Sequence, residues 1–111
     1  MKINEKKLNE LKDLSDGTTE LMKDLLVKFY ENSIKLLDTA DESAKVEDYK
    51  KVEYVVHTLK GSALSLGLEP MGEFVTSFNA TLKEGIYDNV AGNLAKLREN
   101  VIESKALMDT L

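Results

Sequence analysis

The chain holds a single histidine, His57, with a lysine three residues on and a glycine four residues on, inside the stretch Val55-Val56-His57-Thr58-Leu59-Lys60-Gly61-Ser62-Ala63-Leu64-Ser65-Leu66-Gly67. Neutral imidazole is a competent nucleophile near neutral pH, because its unperturbed pKa is about 6.5, so an exposed histidine needs no special base. An ammonium at Lys60 lies one helical turn from the ring, where it can bind an anion attached to it. A glycine in a helix interior costs about 1 kcal/mol relative to alanine, and something must offset or justify that cost. Having no side chain, Gly61 leaves a gap beside the imidazole through which another molecule can reach the ring nitrogen. These types at this spacing suit a nucleophile that reacts only inside a complex.

Other chemistries lack their parts. One histidine and no cysteine cannot supply the three or four ligands that zinc takes, even with carboxylates helping. A Ser-His-Asp triad needs a pocket and an oriented base, whereas His57 lies mid-helix on an open face with Ser62 and Ser65 directed elsewhere. There is neither G-x-x-x-x-G-K-[ST] nor G-x-G-x-x-G after a strand, so any phosphate chemistry must borrow its phosphoryl group. A formal net charge of −5 repels a nucleic acid backbone, and no Lys/Arg stripe with interleaved aromatics offsets it.

His57 must be positioned by helices. Apolar residues recur at three- and four-residue spacing almost throughout, and no segment alternates for strand length. A short first helix is expected from about Asn4, marked by Leu8, Leu11 and Leu14 and stopped at Gly17. The second is expected from about Thr18 to Thr39, with Asp16 or Thr18 as cap and Leu21, Leu25, Phe29, Leu36 and Leu37 facing inward. The run Asp38-Thr39-Ala40-Asp41-Glu42-Ser43-Ala44-Lys45 reads as a polar turn. The third helix is expected to begin near Val46 and the fourth at Pro70, with Met71, Phe74, Val75, Phe78 and Leu82 on its apolar face. Gly85 closes that helix and Asp88 is the expected cap of the last, whose stripe is Val90, Leu94, Leu97, Val101, Met108 and Leu111. The fold class is therefore all-α, an antiparallel four-helix bundle (up-down-up-down) with an additional short N-terminal helix.

On the third helix, Tyr49, Val52, Val55, Val56, Leu59, Ala63 and Leu66 fall in one arc about 120° wide, and His57 lies roughly 140° from its centre. The imidazole is thus expected at the surface. Its neighbours at helical spacing are Glu53, Tyr54, Lys60 and Gly61, with Leu64 one turn further.

At these residues the sequence resembles the histidine-containing phosphotransfer (HPt) domain, whose signature is H-x-x-K-G, a tract of small and apolar residues, then G. Here it runs from His57 through Lys60 and Gly61 to Gly67. The resemblance implies a monomeric four-helix bundle that relays phosphoryl groups between aspartates of receiver domains in two-component signalling. It makes His57 the phosphoacceptor, has Lys60 steady the phosphoryl oxygens and gives Gly61 the docking space; Gly67 is assigned to local packing. The partners implied are response-regulator receiver domains and a hybrid sensor histidine kinase, with no nucleic acid and no membrane. The chain needs no cofactor or metal of its own, since Mg²⁺ and the acidic pocket belong to the receiver, and it is a phosphocarrier rather than an enzyme. Glu53, Tyr54 and Leu64 are the expected partner contacts, on a surface made of the His57 face of the third helix and its neighbour from the second. Many members carry a smaller residue where Val56 stands, on the core side.

A competing reading is a helical adaptor that uses the same face without carrying phosphate, whose expected mark is a lost or replaced histidine; His57 and Lys60 are both intact. At 111 residues, one domain spanning 1–111 is expected. The first residues have no signal-peptide core, no stretch reaches the roughly 18 apolar residues of a membrane span, and cysteine is absent. A stand-alone cytoplasmic protein is the expectation.

Overall fold

A computed structural model describes residues 1–111 as five α-helices: α1 (Glu5–Leu14), α2 (Glu20–Lys45), α3 (Tyr49–Leu66), α4 (Met71–Lys83) and α5 (Val90–Ala106). A 3₁₀ turn, Leu107–Thr110, follows α5. Local chemistry explains most of the boundaries. Asn4 caps α1 by accepting from the Lys7 amide at 3.2 Å, and Asp48 caps α3 by accepting from the Lys51 amide at 3.3 Å. Thr18 accepts from the Glu20 amide at 3.4 Å at the start of α2. Gly17 and Gly85 follow α1 and α4 with φ of 81° and 76°, a conformation that costs glycine little.

Several boundaries differ from those expected. α2 does not stop at Thr39 but continues through the supposed polar turn to Lys45. Ala40 and Ser43 are buried there, and the Ser43 hydroxyl donates to the Thr39 carbonyl at 2.8 Å. These small residues extend the stripe Met22, Leu26, Phe29, Ser33 and Leu37, which is the inward row of α2. Leu21, Leu25 and Leu36 sit beside that row and are half-buried. The connection to α3 is Val46–Glu47–Asp48, with Val46 exposed and Glu47 at φ 58°. Pro70 occupies the position before α4 rather than its first turn, and Asn89, not Asp88, precedes α5. The expected stripe of the last helix continues past it, with Leu107 buried and Met108 and Leu111 packed at its edge.

α2 packs against α3 and α5, α3 against α4, and α4 against α5, so sequential helices are neighbours around a four-helix ring. α1 lies outside it against α2. A single cluster of 21 buried apolar residues fills the ring, each large aliphatic member contributing about 1.5–3 kcal/mol. Arg98 on α5 donates through one nitrogen to both Asp38 and Asp41 on α2, at 2.8 Å each. Desolvation opposes its charge, but Asp41 and Asp38 outweigh that and hold its pKa above the ordinary value. Tyr49 stacks on Tyr87 with ring centroids 4.0 Å apart, fastening the α4–α5 connection to the start of α3.

One feature lies outside an all-helical expectation. Residues Lys2–Ile3 (β1) pair antiparallel with Leu68–Glu69 (β2), in the register Lys2 to Glu69 and Ile3 to Leu68. Two residues per strand are too few for an alternation to show. Next to this pair the Asn4 amide donates to the Gly67 carbonyl at 2.7 Å, so the start of the chain is fastened to the end of α3.

Candidate functional site

Helix α3 is built so that one face is consumed by packing. Val52, Val55, Val56, Leu59, Ala63 and Leu66 are all buried, and β-branched and aliphatic side chains at that spacing fix the helix against α2 and α4. Tyr49, expected among them, is half-buried. The opposite face carries His57, which is exposed. Around it Glu53 and Lys60 are half-buried and Gly61 is exposed, while Tyr54 and Leu64 are 67% and 54% exposed. Relative to His57 these stand at −4, −3, +3, +4 and +7, all of which fall on one helix face. The structure therefore brings His57, Glu53, Tyr54, Lys60, Gly61 and Leu64 onto one surface of α3.

Two details bear on chemistry. The chain has three ion pairs, Lys7–Glu10 and the two of Arg98, so the Lys60 ammonium is engaged by no carboxylate of its own chain. Thr58 keeps its hydroxyl occupied by donating to the Tyr54 carbonyl at 2.9 Å. At Gly61 an added methyl carbon would meet nothing within 4 Å. Gly67 is the opposite case. It ends α3 at φ 67°, and a methyl there would lie 2.9 Å from Lys7 Cβ and 3.0 Å from Asn4 Cβ. The second signature glycine is thus explained by conformation and packing, and the first is not.

Beside Gly61 lies a groove of about 950 Å³ between α1, α2 and α3. Its apolar walls include Leu11, Leu25, Phe29, Leu36, Leu59 and Leu66. Lys28 and Lys35 of α2, together with Ser62 and Ser65 of α3, also line it. Sequence reasoning missed this groove. Its one signal was the half-buried set on α2, since Leu25 and Leu36 stand beside the main stripe and widen the apolar arc beyond what a four-helix core requires. No group of three His, Cys, Asp or Glu side chains is placed to hold a metal ion.

Residues 24–107 match the Hpt domain family. The chain is similar to histidine-containing phosphotransfer protein 2 of Arabidopsis thaliana, with 31% identity over 106 residues that cover 92% of this chain and 66% of that protein. It thus spans just under two thirds of the length of that curated relative. The crystal structure of histidine-containing phosphotransfer protein B from Pseudomonas aeruginosa PAO1 superposes with a TM-score of 0.83, covering 97% of this chain and 91% of that one. Identity there is 14%, so what the two share is the fold.

Proposed function

We propose a function from one settled premise: the chain belongs to the Hpt domain family. Members are phosphocarriers, phosphorelay intermediates of two-component signalling rather than enzymes in the ordinary sense. In this chain the carrier is His57. The lone pair of a neutral ring nitrogen attacks the phosphorus of a receiver's aspartyl phosphate; the N–P bond forms as the P–O bond to the carboxylate breaks, and the electron pair leaves with the carboxylate. The reverse step delivers the phosphoryl group to the aspartate of another receiver. Lys60, unpaired within its own chain, steadies the phosphoryl oxygens. Positioning and charge neutralisation dominate such a transfer, and the receiver supplies Mg²⁺ and the acidic pocket.

The observation that carries this reading is Gly61. It is a mid-helix glycine that neither backbone conformation nor any neighbouring atom of the chain requires, one turn after an exposed histidine. A cost of about 1 kcal/mol that serves nothing in the free molecule makes sense when a partner's backbone or side chain must come close to the ring. The receiver then lies over the His57 face, with Tyr54 and Leu64 as apolar contacts, Glu53 beside them, and the adjoining groove at its flank. Residues 1–111 act as one monomeric domain in the cytoplasm, with a hybrid sensor kinase among the sources of phosphate and no nucleotide site of their own. One continuous core supports the single domain, and no helix is long and apolar enough to cross a membrane.

The test is phosphoryl transfer from a phosphorylated receiver domain to the wild type and to His57→Gln, read by intact mass with an acid-lability check. An acid-labile adduct on the wild type alone is expected. If several receivers and a small-molecule histidine phosphodonor all leave the wild type unmodified, the phosphocarrier reading fails and the adaptor reading replaces it.

A further inference from the structure

Gly72, the second residue of α4, is fully packed. It does not adopt a left-handed φ, so its backbone does not call for glycine, and an added methyl would come close to one atom only, Leu64 Cδ2, at 3.0 Å. Leu64 is 54% exposed and stands two turns after His57 on the same face, about 10 Å along the helix axis. Beneath it is a cleft of about 370 Å³ that Leu64, Ala63, Gly67 and Gly72 help to line. The absence of a side chain on α4 therefore lets a leucine of α3 lie down against α4 while half of its surface stays open.

We infer that Gly72 is a positioning residue for docking: it sets the height and tilt of Leu64, and hence the shape of the surface beside the reacting nitrogen. The inference rests on Leu64 being a receiver contact, as proposed above. A contact of 3.0 Å with the end of a half-exposed side chain is relieved by swinging that side chain outward, because nothing holds it on the solvent side. A methyl at Gly72 is then absorbed by a displaced Leu64 and not by the core. Its consequence appears in recognition of the partner, while folding stability stays close to wild type. The chemical step, which takes place at His57, is untouched.

The experiment compares wild type, Leu64→Ala, Gly72→Ala, Leu64→Val and the double variant Gly72→Ala/Leu64→Val, measuring transfer from a phosphorylated receiver under single-turnover conditions together with thermal unfolding. Leu64→Ala should raise the receiver concentration for half-maximal rate about tenfold, and Gly72→Ala about threefold, with the maximal rate constant unchanged in both. Valine lacks the Cδ2 atom that the new methyl would meet, so adding Gly72→Ala to Leu64→Val should change nothing further; that background also relieves the contact if Gly72→Ala alone folds poorly. If Leu64→Ala is silent, the docking role of Leu64 fails and the inference with it. If Leu64→Ala acts but Gly72→Ala is silent, or acts equally in the valine background, Gly72 does not work through Leu64 and the inference alone is overturned.

Discussion

At the scale of single residues, the two signature glycines separate cleanly into one that the fold explains and one that it does not. A methyl at Gly61 meets nothing within 4 Å, and alanine is favoured over glycine in an exposed helix interior by about 1 kcal/mol. Gly61→Ala should therefore raise the melting temperature by a few degrees, about 4 °C for a chain of this size, while lowering the rate of phosphoryl transfer about tenfold. Thermal unfolding and transfer kinetics on the same preparation check both halves; a stabilised variant that still transfers at the wild-type rate would show that Gly61 is not docking space. That His57, Lys60 and Gly61 share one face was legible from types and spacing, because three- and four-residue spacing on a helix fixes which side chains stand together; Gly67 was singled out only by the resemblance to the family signature. Gly72 was not legible. Its role depends on how closely α3 and α4 approach, which no periodicity records.

At the scale of elements, composition misled where packing decided. Asp, Ser and Thr compete locally for backbone hydrogen bonds and favour turns, so residues 38–45 read as a connection. In the fold, Ala40 and Ser43 are buried, and Asp38 and Asp41 are drawn to Arg98 of a helix sixty and fifty-seven residues away. Those contacts keep the last turns of α2 helical. The attachment of the chain's start to the end of α3 was equally invisible, since it rests on two-residue strands and a single amide. Gly67 is its hinge point. Replacing it with alanine forces a left-handed φ of 67° on a residue with a Cβ and drives that Cβ against Lys7 and Asn4. Gly67→Ala should cost about 2 kcal/mol, the left-handed conformation alone accounting for about 1–2, and urea unfolding should show it. Amide exchange should accelerate in α1 more than in α5, whose contacts do not involve the attachment. Uniform loss of protection instead would mean that α1 is held by its packing on α2 alone.

For the whole molecule, charge and shape act together. The chain is acidic, with a formal net charge of −5, yet the groove beside Gly61 is lined by Lys28 and Lys35, neither of which belongs to any of the three ion pairs. Two ammonium groups lining one groove of a molecule whose net charge is negative contribute a local positive field, and fields of that kind govern the rate of encounter more than the strength of the final contact. If the receiver proposed above approaches over the His57 face with the groove at its flank, acidic side chains on its rim would meet Lys28 and Lys35. Transfer at limiting receiver concentration should then slow as ionic strength rises, because the Debye length shrinks from about 30 Å at 0.01 M to about 8 Å at 0.15 M. In Lys28→Gln/Lys35→Gln the second-order rate constant should fall about tenfold at low salt and depend less on salt, while the maximal rate within the complex stays at the wild-type value. Both positions are exposed, so the variant should fold as the wild type does. A second-order rate constant and salt slope unchanged by the double substitution would place the partner's approach away from the groove and confine docking to the face of α3 around His57.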